Sequence, residues 1–298
     1  MVIDPACGSG GLLLKFAKIL GKKNVREGFF GQEINLTTYN LARINMFLHN
    51  INYNNFSIER GDTLIHPAHW NDEPFDAIVS NPPYSIKWAG KSNPLLINDE
   101  RFAPAGVLAP ESKADLAFTM HMLSWLSPKG TAAIVEFPGV LYRGGAEQKI
   151  RKYMIDNNFV DTVIQLPSDL FFGTSIATCI LVLKKNKLDN NILFVDASNE
   201  FIRNTNKNKL SEENINNIIS LLKDRKSVEN KSYIATYEEI KNNNYNISVN
   251  SYLKTNTEDK KIDIDEVNRK LAEIVPRQQQ IREELEEIIK ELEVDYHE

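Results

Sequence analysis

Four short stretches carry side chains able to do chemistry, each just behind an apolar run. They are "DPACGSGGL" from Asp4 to Leu12, "GQE" ending at Glu33, "GDT" around Asp62, and "NPPY" from Asn81 to Tyr84. In the first, Gly8, Gly10 and Gly11 stand between a strand and a helix. Glycine there takes positive φ and lets the backbone approach a ligand closely. The free N–H groups of the helix start suit an acidic or polar ligand group. The stretch is not a good dinucleotide fingerprint, because Leu13 stands where G-x-G-x-x-G needs its third glycine. Glu33, at the end of the second strand, can accept both hydroxyls of a ribose in charge-assisted hydrogen bonds. Asp62, at the end of the third, is placed to meet a base edge. Strand-end acids can also merely cap the next helices; for Asp62 alone that reading is as good, but it weakens for the set of three. Acids without an Arg or Lys clamp suit an adenosyl ligand that lacks phosphates. S-adenosylmethionine, with its cationic sulfonium, fits.

The fourth stretch follows "FDAIVS". By itself "NPPY" is a turn; beside the other three it reads as a site for a planar aromatic amine. The lone pair of such an amine is delocalised into its ring. Two acceptors on its hydrogens, the Asn81 side-chain oxygen and the Pro82 carbonyl, can draw the nitrogen toward tetrahedral geometry. Proline fixes φ and so pre-aims that carbonyl. Pro83 stiffens the turn, and the face of Tyr84 can stack on a base, an interaction of about 1–3 kcal/mol.

The elements that must position these residues alternate. Strands are expected at "MVID", "NVREGFFGQE", "NFSIERGDTL", "FDAIVS", "GTAAIVEFP", "FVDTVIQLP", "TSIATCILVLKK" and "NILFVDAS". "GGLLLKFAKIL" has the apolar density of a buried helix. In "NLTTYNLARINMFLHN", Leu36, Tyr39, Ile44, Phe47 and Leu48 fall near helical spacing. "ADLAFTMHMLSWLS" and "GAEQKIRKYMIDN" complete the early helices. Such alternation predicts an α/β fold: a mainly parallel, Rossmann-like sheet with helices on both faces. The last strands follow one another with little helix between them, which predicts an antiparallel hairpin at one edge.

Three segments are expected: a catalytic domain over 1–200, an Asn/Lys-rich accessory segment over 201–258, and an amphipathic helical tail over 259–298. In the accessory segment Ser211 is placed to cap a helix whose Ile215, Ile218 and Leu222 face inward. In the tail, Ile264, Val267, Leu271, Ile274, Ile281, Leu285, Ile288 and Leu292 keep one heptad frame, with Gln278 on the seam. Pro276 predicts a break or kink. The tail reads either as an amphipathic helix packed on its own domain or as one that pairs with another chain. An exposed helix of this length is hard to stabilise alone, which tilts the reading slightly toward pairing.

The 298 residues, 42% apolar and 25% charged, are ordinary for a globular protein. No apolar run approaches the roughly 18 residues that span a bilayer, and the start does not read as a signal peptide. Cys7 and Cys179 read as reduced thiols of a cytoplasmic protein. His66 and His69, separated by Pro67 and with no cysteine near, read as loop residues, not metal ligands. A net charge of −5 is unusual for a stand-alone nucleic-acid binder, so work on DNA requires a local basic surface or a partner.

The order "DPACGSGG", "GQE", "GDTL", "NPPY" resembles that of the amino-group DNA methyltransferases. "GQEINLTTYNLARINMFLHNI", "ADLAFTMHMLSWLSPKGTAAIVEFPGVLYRGGAEQKIRKYMIDNN" and "IQLPSDLFFGTSIATCILVLKK" resemble the modification subunit of type I restriction–modification systems. The likeness spans most of the first 200 residues and runs on loosely through "YNISVNSYL" and the tail. It implies N6-methylation of a flipped adenine in double-stranded DNA, with S-adenosylmethionine as cofactor. It implies that Asp4 and the loop from Ala6 through Gly8, Ser9, Gly10 and Gly11 meet the methionine part. Glu33 would hold the ribose, Asp62 the adenine amino group, and Asn81, Pro82, Pro83 and Tyr84 the target base. "LFFGTS" matches a segment that supplies a second wall for that base, and Phe172 is nominated. The implied partners are a specificity subunit that reads DNA, a second modification subunit and a restriction subunit, with the tail docking on the specificity subunit. In that family a helical domain and a cofactor-clamping loop precede the glycine loop, whereas Met1 here begins on the first strand. Two rival readings follow: a truncated, non-catalytic assembly subunit, and an NPPY methyltransferase acting on a protein glutamine or an RNA guanine.

Overall fold

The structure, a computed structural model, describes residues 1–294 except 22, 23, 26, 71, 73, 172–174, 206 and 254–263. In the last helix it describes the side chains of residues 269, 271, 272, 274–286 and 289. Two compact units result, Met1–Lys254 and Thr255–Glu298.

The first unit alternates strand and helix from its start. β1 (Val2–Asp4), α1 (Gly11–Leu20), β2 (Phe29–Glu33), α2 (Leu36–Leu48), β3 (Phe56–Arg60) and β4 (Phe75–Ser80) come first. α3 (Asp115–Trp125), β5 (Leu126–Glu136), α4 (Ala146–Asp156), β6 (Val160–Gln165), β7 (Cys179–Lys184) and β8 (Ile192–Asp196) follow. β9 (Ile202–Asn204) and β10 (Lys207–Lys209) pair as a small hairpin, then α5 (Glu212–Asp224), β11 (Ser232–Ala235) and α6 (Tyr237–Asn242) close the unit. Among the described residues the main sheet has nine strands, in the order β11-β8-β6-β7-β5-β4-β1-β2-β3.

Pairing is parallel from β3 through β2, β1 and β4 to β5, and between β6 and β8. The carboxyl ends of β1 to β5 therefore open on one edge, where every stretch singled out above lies. This is the mainly parallel, Rossmann-like sheet expected from the alternation. The antiparallel pairing falls elsewhere than the late strands suggest. β7 does not pair with β8; it inserts between β5 and β6, antiparallel to both. The antiparallel edge is β8 with β11, a strand from the Asn/Lys-rich stretch. β6 is buried over Val160–Ile164, as expected of a strand covered on both faces. Such a strand needs a neighbour on each side, and β7 supplies one of them.

The large core cluster is built on α3, where every residue except Ser124 is buried. α1 buries only Leu13 and Ala17, leaving Ile19 exposed, so it is not buried all round. α2 buries Ala42 and Met46, while Leu36, Ile44, Phe47 and Leu48 are exposed. The reason is a close approach: a Cβ on Gly10 would lie 3.2 Å from Met46 Cε and 3.7 Å from Ala42 Cβ. The face that meets the glycine loop must be slim. α5 starts in a capping box made by Ser211 and Asn214; it buries Ile218, whereas Ile215 stays exposed.

The second unit is α7 (Ile264–Val294), which continues through Pro276. The break expected there does not occur. Leu271, Ile274, Ile281 and Leu285 are each more than half exposed, with relative exposures of 51%, 59%, 56% and 55%.

Candidate active site

The loop after β1 is built inward from Asp4. This carboxylate is 1% exposed, and its Oδ1 accepts from the Ala6 N–H (3.1 Å) and from Ser80 Oγ (2.7 Å). Ser80 ends β4, so Asp4 ties the glycine loop to the residue before Asn81. Burial pushes its carboxyl up to about 7. Gly8 has φ +53° and a Cβ there would meet nothing within 4 Å, so the loop is open at that point. Its N–H donates to Glu33 Oε2 at 3.0 Å, and Glu33 Oε1 accepts from the Asn35 N–H at 2.8 Å. Each oxygen keeps a further lone pair for a ligand hydroxyl. The Ser9 carbonyl accepts from Asn45 Nδ2 at 2.9 Å, Gly10 packs on α2, and Gly11 begins α1.

Asp62 lies two residues past β3, and its Oδ1 accepts from the Leu64 N–H at 2.9 Å. The next turn is pinned from behind by Arg101, which is 2% exposed. Its guanidinium donates to the carbonyls of Thr63 (3.0 Å) and Leu64 (2.8 Å) and grips the Asp99 carboxylate (2.7 and 2.9 Å). It also stacks over Phe102 at 4.7 Å. His121 Nε2 meets Thr63 Oγ1 at 3.0 Å, and burial holds this imidazole well below its ordinary range, neutral.

Pro82 is buried, Asn81 and Pro83 are exposed, and Tyr84 is half-buried. The Tyr84 hydroxyl donates to Asn81 Oδ1 at 2.6 Å. Burial and the nearby Glu136 push the phenol up to about 12, so it stays protonated. Ser85 takes φ +50°, and its N–H donates to Asp115 Oδ1 at 2.9 Å.

These pieces enclose a cavity of about 440 Å³. Ala6, Gly8, Glu33 and Asp62 line it together with Asn81 and Pro83, and Ile34, Ile86, Trp88 and Phe118 add apolar surface. Asp4, Ser9, Gly10, Gly11, Pro82 and Tyr84 are not among its lining residues. Phe172 lies outside the described residues. The arrangement can hold a ligand with vicinal hydroxyls near Glu33 and a planar amine near Asn81. A sequence model of the N-6 DNA methylase family matches residues 1–261.

The chain belongs to the N-6 DNA methylase family. This chain is 49% identical over 305 residues to the type I restriction enzyme MpnII methylase subunit of Mycoplasma pneumoniae, covering 99% of this chain and 56% of that one. It is 32% identical over 295 residues to the type I restriction enzyme MjaVII methylase subunit of Methanocaldococcus jannaschii, covering 95% and 51%. The crystal structure of a type I restriction–modification methyltransferase subunit from Streptococcus thermophilus superposes with a TM-score of 0.80 at 40% identity, covering 85% of this chain and 54% of that one. The chain thus spans about half the length of these relatives.

Several residues of the site escape a local reading. Arg101 and Asp99 sit in a polar stretch with no periodicity. Asp115 is the first residue of α3, where an acid is ordinary helix chemistry. Glu136 ends β5 as Glu33 ends β2, so the strand-end rule applied once more would have found it. It is fully buried, accepts from Thr119 Oγ1 at 2.6 Å, and burial raises it to about 8. His69 lies in a loop but is 3% exposed, held by Asp72 (2.9 Å) and the Gly31 carbonyl (3.1 Å). Cys7 and Cys179 are both free and buried. Among the described residues no helix is long and apolar enough to cross a membrane.

Proposed function

We propose that this methylase transfers a methyl group from S-adenosylmethionine to N6 of an adenine flipped out of double-stranded DNA, as the modification subunit of a type I restriction–modification system. The observation that carries the reading is one cavity lined at once by Gly8, Glu33, Asp62 and Asn81. The residues present suit S-adenosylmethionine: a glycine with open space above it, a carboxylate with free lone pairs, and a buried acid behind the glycine loop. Asp4 and the loop from Ala6 to Gly11 would hold the methionine part, Glu33 the ribose hydroxyls and Asp62 the adenine amino group. A positive charge near Asp4 would draw its carboxyl back toward the ionised form. When bound, the cofactor supplies an electrophilic methyl on a cationic sulfonium.

The chain's own groups do the rest. Asn81 Oδ1 and the Pro82 carbonyl accept from the target amine and bring its lone pair out of the ring. Tyr84 offers the flipped base a face, and its hydroxyl leaves the second lone pair of Asn81 Oδ1 free for the amine. Phe172 is proposed as the opposite wall. Binding of double-stranded DNA draws on a specificity subunit and a second modification subunit, since the chain carries a net charge of −5; a restriction subunit completes the system. The exposed seam of α7 would dock on helices of the specificity subunit.

The test is Asn81→Ala in the complex with its partner subunits, read as tritium transferred from labelled cofactor to unmodified DNA. Asn81 is exposed, so the fold is retained. Loss of a positioned polar contact predicts a rate lower by about 10²-fold or more. Undiminished adenine methylation would refute the proposal.

A further inference from the structure

We infer that Asp115 is a positioning residue for methyl transfer: from the buried start of α3 it fixes the turn that aims Tyr84 at the target base. The inference rests on the methyltransferase reading and names a residue outside its motif. Ser85 directly follows Tyr84 and has φ +50°, a left-handed conformation that costs a non-glycine residue about 1–2 kcal/mol. Something must hold it there. Its N–H donates to Asp115 Oδ1 at 2.9 Å, across 30 residues of chain.

The anchor is stiff. Asp115 is 1% exposed, and the helix it begins is buried along almost its whole length. Two neighbouring contacts extend the seam: the Ala114 N–H donates to the Ile86 carbonyl (2.9 Å) and the Trp88 N–H to the Glu111 carbonyl (3.0 Å). Ile86 and Trp88 line the cavity, so this seam joins the tetrad and the cavity wall to one buried helix start.

A second observation sets Asp115 apart from an ordinary first-turn acid. Its Oδ2 is buried with no hydrogen-bond partner, and so is Oε2 of the neighbouring Glu136. A buried acceptor left unmatched costs about 1–3 kcal/mol. An apolar or hydroxyl side chain would avoid that penalty. The other oxygen, Oδ1, is the one that holds Ser85. Tyr84 needs such support, because a base face that swings by an ångström no longer holds the amine against Asn81 and Pro82.

The experiment compares Asp115→Ala and Asp115→Asn with the wild-type complex in steady-state methylation of unmodified genomic DNA. Cofactor binding is followed by calorimetry, and hydrogen exchange at the Ser85 amide by mass spectrometry. Asp115→Ala should lower kcat by about 10–100-fold, the scale of a misplaced reacting group, with cofactor affinity unchanged. Asp115→Asn keeps the Oδ1 acceptor and should recover most of the rate. The Ser85 amide should exchange slowly in the wild type. Full kcat in a folded Asp115→Ala complex would overturn the inference. So would an unprotected Ser85 amide in the wild type, a result that needs no variant to fold. A wild-type complex that transfers no methyl would instead overturn the methyltransferase reading, leaving the exchange measurement to judge the Asp115–Ser85 contact.

Discussion

Replacing Glu136 with Gln should change how stability depends on pH by an amount that follows from the site. Glu136 is wholly buried at the end of β5, and burial, with Asp115 nearby, raises its carboxyl from 4.5 to about 8. The folded protein therefore keeps a proton that the unfolded chain releases. The stability this group contributes is fully present below about pH 4.5 and is lost as pH rises through about 8. Between pH 5 and pH 9 those two values correspond to about 4 kcal/mol. Gln has the same shape, keeps an Oε1 for the Thr119 hydroxyl, and does not titrate. Asp4, raised to about 7 by burial, loses stability in the same direction, but it does so in both proteins and cancels in the difference. The assay is denaturant unfolding of both proteins at pH 5, 7 and 9. The stability of Glu136→Gln relative to wild type should rise by several kcal/mol across that range. Parallel curves would refute a buried, proton-holding Glu136.

Two further outcomes are expected. Glu33→Ala removes the acceptor for the Gly8 and Asn35 N–H groups along with that for the ribose hydroxyls. Losing hydrogen bonds to a charged group should weaken cofactor binding by about tenfold or more in calorimetry; an unchanged Kd would remove Glu33 from the ribose site. Deleting residues 259–298 should abolish co-purification with the specificity subunit while leaving cofactor affinity intact, since Met1–Lys254 is a compact unit. Persistence of the complex would contradict docking through α7.

What was legible in the sequence was chiefly what repeats or what sits at strand ends. The alternation of β1 to β5 with helices follows from local periodicity, and in a parallel sheet it brings Gly8, Glu33, Asp62 and Asn81 to one edge. The α7 heptad is legible for the same reason. The buried face of α2 is not legible from its periodicity, because large residues carry that signal while the packed face uses Ala42 and Met46 against Gly10. The strand order near β7 was out of reach, since adjacency in sequence does not say that β7 must lie between β5 and β6.

The sequence by itself determined which chemistry the chain can carry: a glycine loop, two strand-end acids and a tetrad suited to a planar amine. Only the tertiary structure decided what holds those groups in place. Arg101 reaches the turn after Asp62, Asp115 reaches Ser85, and Asp4 reaches Ser80, over separations of 37, 30 and 76 residues. None of these contacts leaves a periodic trace. Each depends on burying a charged or polar group, which is tolerable only once the fold has brought its hydrogen-bond partner to it.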